Sequence, residues 1–79
     1  MVTVLRVNGL RVMIFSDDHE PAHVHVFGDG QAKINLCDTK SGPELIWAEG
    51  MTRSEVRRAM RMVLEHQEML LSRWRDMHG

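Results

Sequence analysis

The sequence predicts an α+β domain in which an antiparallel meander sheet of four to five strands packs against one long C-terminal helix. Short β-branched runs broken by Asn8-Gly9 and by Gly28-Asp29-Gly30 predict the strands. Apolar residues recurring every three or four positions after Thr52 predict the helix. Seventy-nine residues make a single domain, 1–79. At that size folding removes only about 60% of the unfolded chain's surface from water, which makes an oligomer or a partner chain a useful source of stability.

Residues 2–7 and 10–15 flank Asn8-Gly9, the pair that best tolerates the two positive φ angles of a type I′ turn. A two-residue loop pairs Val7 with Leu10, Leu5 with Val12 and Thr3 with Ile14. It collects Leu5, Val7, Leu10, Val12 and Ile14 on the core side. The same register sets Arg6 opposite Arg11, an anion contact or two side chains splaying into water.

Next comes Phe15 to Phe27, with adjacent Asp17 and Asp18, Pro21 in the turn, and three of the five histidines, His19, His23 and His25. Residues 24–27 and 32–36 form a second strand pair. With a three-residue loop and Gly30 in the left-handed region, Phe27 faces Gln31, His25 faces Lys33 and His23 faces Asn35. Val24, Val26, Ala32, Ile34 and Leu36 then share the apolar face, and the histidines stay wet. A two-residue loop would turn them inward. The three-residue loop separates polar from apolar side chains on both strands and is the expected one.

Residues 38–43 are turn chemistry, and 44–48 make a short edge strand. Thr52 with Glu55 forms a capping box. Val56, Ala59, Met60, Val63, Gln67, Leu70, Leu71 and Trp74 continue at helical spacing. A helix over 53–77 would be about 38 Å long, enough to leave Met69, Trp74 and Met77 overhanging the sheet.

Ten Lys and Arg against eleven Asp and Glu exclude a global attraction to polyanions. Nucleic-acid contact would need a local patch, for which Arg53, Arg57 and Arg61 form a stripe, with Arg58 beside it. The alternative is a solvated face with Arg61 paired to Glu65. Lone Cys37 reads as a small core residue in a reducing compartment. The early Arg6 and the absence of a long apolar run place the expected protein in the cytoplasm.

The histidine stretch allows three readings. His23 and His25 could share acid–base work on a phosphodiester, with His19 orienting and Lys33 and the arginines holding phosphate, without a cofactor. Asp18, His19, His23 and His25 could instead ligate a metal. Or the histidines only shape the loop. His66 interrupts the helical stripe and is expected to be a buried, hydrogen-bonded structural residue, or to approach the loop histidines.

Asp-His-Glu-Pro-Ala-His-Val-His-Val, then Gln-Ala-Lys-Ile, then a helix running from Arg-Arg-Ala-Met to Trp74 resemble a small bacterial family known as domain of unknown function family 4160. The resemblance spans Val12 to Trp74 and picks out Asp18, His19, Pro21, His23, His25, Ala32, Lys33, His66 and Trp74. Glu20 and Ala22 stand where the family usually has prolines, and Met69 where it has an acidic or polar residue. Family members are often encoded beside a second small protein. The resemblance therefore implies a toxin-like component of a two-protein module, acting on RNA and held by an antitoxin-like partner, and the acid–base reading of His23 and His25 would make it a histidine-dependent ribonuclease. The competing expectations are a non-enzymatic protein- or nucleic-acid-binding module and a small metal-binding domain; a homodimer through the C-terminal helix is a further expected partner.

Overall fold

A computed structural model describes residues 2–78. Five strands, β1 (Val2–Val7), β2 (Leu10–Ile14), β3 (His23–Phe27), β4 (Gln31–Asn35) and β5 (Glu44–Glu49), pair antiparallel in chain order, the expected meander. Asn8 and Gly9 have φ of 50° and 81°, and the register Val7↔Leu10, Arg6↔Arg11, Leu5↔Val12 follows from that turn. Beyond Leu5 an irregularity shifts the pairing to Thr3↔Met13 and Val2↔Ile14 in place of Thr3 with Ile14. Leu10, Val12 and Ile14 are buried as expected, but Val7 is 37% exposed. It lies at the turn end of an edge strand, with a neighbouring strand on one side only.

The β3–β4 loop has three residues, with Phe27↔Gln31, His25↔Lys33 and His23↔Asn35 in register and the Gly28 amide donating to the Gly30 carbonyl at 2.9 Å. Gly30 is not the left-handed residue the sequence suggests; the glycines with positive φ are Gly9, Gly42 and Gly50. Glycine is required at position 30 because a Cβ there would collide with the Glu49 carbonyl and the Gly50 backbone. Cys37 is exposed, not a core residue. Pairing with β3 ends at Asn35, and Cys37 takes a φ of 54° as the chain turns away.

The single long helix is in fact two, α1 (Arg53–Glu65) and α2 (Gln67–His78), meeting at His66 with φ −116° and ψ 19°. The backbone ladder bends there without breaking: the His66 amide is shared between the Met62 and Val63 carbonyls at 3.2 and 3.3 Å, and the Leu70 amide donates to the His66 carbonyl at 2.9 Å. Buried Gln67 supplies a reason for the bend, since its amide donates to the carbonyls of Leu36 and Asp38 where the chain leaves β4. Those carbonyls would otherwise lose partners on burial. His66 itself is half-buried, so the buried polar hydrogen-bonding role expected of it belongs to Gln67.

The bend also removes the overhang. Trp74 is 2% exposed, and Met69 and Met77 pack against the core. The longest dimension of the molecule is 33 Å, shorter than the straight rod would be. Both helices cover the face that carries Val12, Val24, Val26, Ile34 and Leu36. By the two-residue period of a strand, the face with Arg11, His25, Phe27, Lys33 and Trp47 is left without a helix. No helix among the described residues is long and apolar enough to cross a membrane.

Candidate metal centre

Asp18 reaches the site by a tight turn after β2. Its amide donates to the Phe15 carbonyl at 3.2 Å, and its carboxylate Oδ2 accepts from the Phe15 amide at 3.4 Å. The Glu20–Pro21 peptide is cis, and the Leu36 amide holds the Ala22 carbonyl at 2.9 Å just before β3 begins. His23 and His25, two residues apart on β3, then place their rings on one side with centroids 5.3 Å apart. Asp18 Oδ2 lies 3.2 Å from His23 Nε2 and 3.9 Å from His25 Nε2. The three donor atoms fall within 4.8 Å of one another.

The outer ring nitrogens are also held. His23 Nδ1 is 2.9 Å from the Pro21 carbonyl, which can only accept, so Nδ1 carries the proton. A neutral His23 therefore turns a lone pair at Nε2 toward a carboxylate oxygen. That approach is repulsive unless a cation, either a proton or a metal, lies between them. His25 Nδ1 lies 3.3 Å from Gln31 Nε2, an amide nitrogen that donates to it and in this orientation leaves the ring proton on Nε2. An amide turned to present its oxygen would accept from Nδ1–H and leave Nε2 free as well.

Burial pushes the His25 pKa below its ordinary value; Asp18 opposes this, while His23 and Lys33 add to it. His25 is accordingly disposed to the neutral form that ligates a metal or accepts a proton.

The expected register is correct, yet the histidines are not wet. His23 is 5% exposed, with the Trp74 ring 5.1 Å away, and His25 is flanked by Phe15 at 4.7 Å and Trp47 at 6.4 Å. Phe15, Trp47 and Gln31 are site residues that sequence reasoning missed, and Trp74, which the family resemblance picks out, stands against His23. A signal existed for one part of this wall: Trp74 and His78 are four apart on α2, and their rings stack at 3.8 Å. His78 also faces the carbonyls of Trp74 and Phe15 at 2.9 and 3.1 Å, tying the end of α2 to the turn that carries Asp18.

His19 is exposed and outside the three-residue group, so the four-residue metal set contracts to Asp18, His23 and His25. Lys33 stands across from His25 as expected. Arg53, Arg57 and Arg61 are exposed on α1, which covers the other face of the sheet, so the structure does not bring them to the histidines. Arg61 does not pair with Glu65; among the described residues the ion pairs are those of Asp18 with His23 and His25. His66 lines surface hollows with Arg58, Arg61 and Glu65 or with Thr39 and Met69, not with the loop histidines.

The family model described as "Domain of unknown function (DUF4160)" matches residues 9–75. No curated protein and no solved structure matches the chain.

Proposed function

Because the chain belongs to the DUF4160 family, whose description assigns no reaction, we propose a function from the site itself: a divalent-metal-binding domain in which Asp18, His23 and His25 hold an ion of the zinc class. The observation that carries this reading is the pairing of His23 Nδ1 with a backbone carbonyl while Nε2 faces Asp18 Oδ2. Ligating histidines usually donate their outer nitrogen in this way, which fixes both tautomer and ring orientation.

The donor chemistry fits. Two imidazoles and one carboxylate suit zinc, and ligands about 2.0 to 2.2 Å from a tetrahedral ion stand roughly 3.3 Å apart; Asp18 and His23 are already at 3.2 Å, while His25 at 3.9 Å from Asp18 would have to close in. Three protein ligands leave room for a further group. When bound, such an ion would supply Lewis acidity. The chain's own residues orient the ligands through Pro21, Phe15 and Gln31 and restrict water with Phe15 and Trp74.

Titration calorimetry of Zn²⁺ into EDTA-stripped protein should give one site per chain, lost in Asp18→Ala and His23→Ala and kept in His19→Ala. Absence of a saturable site in the parent protein would overturn the reading and leave Asp18–His23 as a proton-held ion pair.

Lys33 beside His25 supports a second, metal-free reading. Here the protein is the toxin-like component of a two-protein module and cleaves RNA with His25 as base and Lys33 at the phosphate. Buried His23 orients His25, and an antitoxin-like chain restrains the activity. RNA cleavage by metal-stripped protein, undiminished by EDTA and lost in His25→Ala, would select this reading over the first.

A further inference from the structure

We propose that the helix-free face of the sheet is a platform for single-stranded nucleic acid, with bases stacked on Trp47 and Phe27 and phosphates held by Arg6, Arg11 and Lys33. This deepens the metal-site reading by naming the polymer that the site would meet, and to that extent rests on it.

The face is assembled by register. Arg6 pairs with Arg11, Arg11 with Phe27, His25 with Lys33 and Lys33 with Trp47, so all project from the same side of four adjacent pairings. With strands about 4.8 Å apart and a two-residue offset of about 6.8 Å along them, Arg11 on β2 and Trp47 on β5 stand roughly 16 Å from one another, with His25 on β3 between them. Trp47 is 37% exposed although it lies within a strand, and Phe27 is half-buried. The Arg11 guanidinium lies 5.8 Å from the Phe27 ring centre, placing a cation beside an aromatic plane.

Charge selects the occupant. Arg6 opposite Arg11 is a repulsive cross-strand pair, and an anion between them would relieve it. Among the described residues none of Arg6, Arg11 and Lys33 pairs with a carboxylate. Glu44 and Glu49 mark the β5 margin, so the cationic ground lies toward β1 and β2. Aromatic planes interleaved with unpaired cations suit bases and phosphates, since each base has a π-face and stacking tolerates any sequence. A double helix would keep its bases stacked on one another and out of reach of Trp47.

The test is fluorescence anisotropy with labelled oligouridylate and oligothymidylate of about 12 nucleotides, and with a duplex of equal length, in EDTA. Both single strands should bind alike and the duplex at least about tenfold more weakly. Raising salt from about 50 to 200 mM should weaken binding about 20-fold if three phosphates are held. Trp47→Ala should weaken it about tenfold and Trp47→Phe much less. Arg11→Glu should weaken it, and Arg57→Glu on the far side should leave it unchanged. Zn²⁺ titration of Arg11→Glu, whose side chain lies outside the Asp18–His23–His25 group, should match the parent, so loss of strand binding is separable from failure of the metal site. No saturable strand binding, equal binding by Trp47→Ala, or loss through Arg57→Glu in place of Arg11→Glu would overturn the proposal. So would a dimer seen in sedimentation that Trp47→Ala dissolves, because the face would then be closed by a second copy.

Discussion

Glu55 and Asp18 are two carboxylates drawn into the protein, and they meet different kinds of partner. Glu55, 7% exposed in the first turn of α1, was expected to close a capping box with Thr52. Thr52 does accept the Glu55 amide at 3.1 Å, but the Glu55 side chain turns to the Asp29 amide at 3.1 Å and pins the β3–β4 loop. Its other oxygen is buried without a partner among the described residues. Asp18 accepts one backbone amide and then faces two imidazoles. A carboxylate meeting a backbone donor holds the chain in place. One facing ring nitrogens whose outer positions are held can share a cation with them.

That contrast predicts separable losses. Asp18→Ala should lower zinc affinity by at least about 100-fold, the upper end of what losing a ligand's supporting hydrogen bond costs. Circular dichroism should still report a folded chain, and collapse of the fold instead would make Asp18 architecture like Glu55. Glu55→Ala should cost about 1 to 3 kcal/mol by removing the charge-assisted hydrogen bond to the Asp29 amide, with zinc uptake unchanged. At this chain length that is a fall in Tm of about 4 to 8 °C per kcal/mol. Weaker zinc binding in that variant would blur the distinction.

A smaller effect concerns pH. The folded pKa of His25 lies below its ordinary value of 6.5, so between those two values the unfolded chain binds more protons than the folded one. The associated stability is present above about pH 6.5 and is lost as pH falls through the folded pKa. Thermal melts of metal-free protein should therefore show His25→Gln with a shallower dependence than the parent over that window. Identical pH profiles would remove His25 from the account. Smallest of all, Arg57→Glu should change stability by less than about 0.5 kcal/mol, as expected of a solvated side chain.

Much of this molecule was legible because its determinants are local. Asn8-Gly9 and the three-residue Gly28-Asp29-Gly30 loop set the register of two hairpins. The two-residue period of a strand then put His23, His25 and Lys33 on one side. Val7 and Cys37 were misread because pattern alone does not tell a strand interior from a strand end.

Tertiary contact decided the rest. The apolar stripe continues from α1 into α2, yet the chain bends at His66, beside a Gln67 amide that finds carbonyls 31 and 29 residues away. The bend brings Trp74 over His23 and His78 to the Phe15 carbonyl, and closing the meander brings Trp47 to His25. The sequence alone specified which donors share a face, because side-chain alternation is a short-range property of the backbone. Whether those donors are buried, what walls them and which histidines are left out depended on packing between segments distant in the chain, which no local pattern encodes.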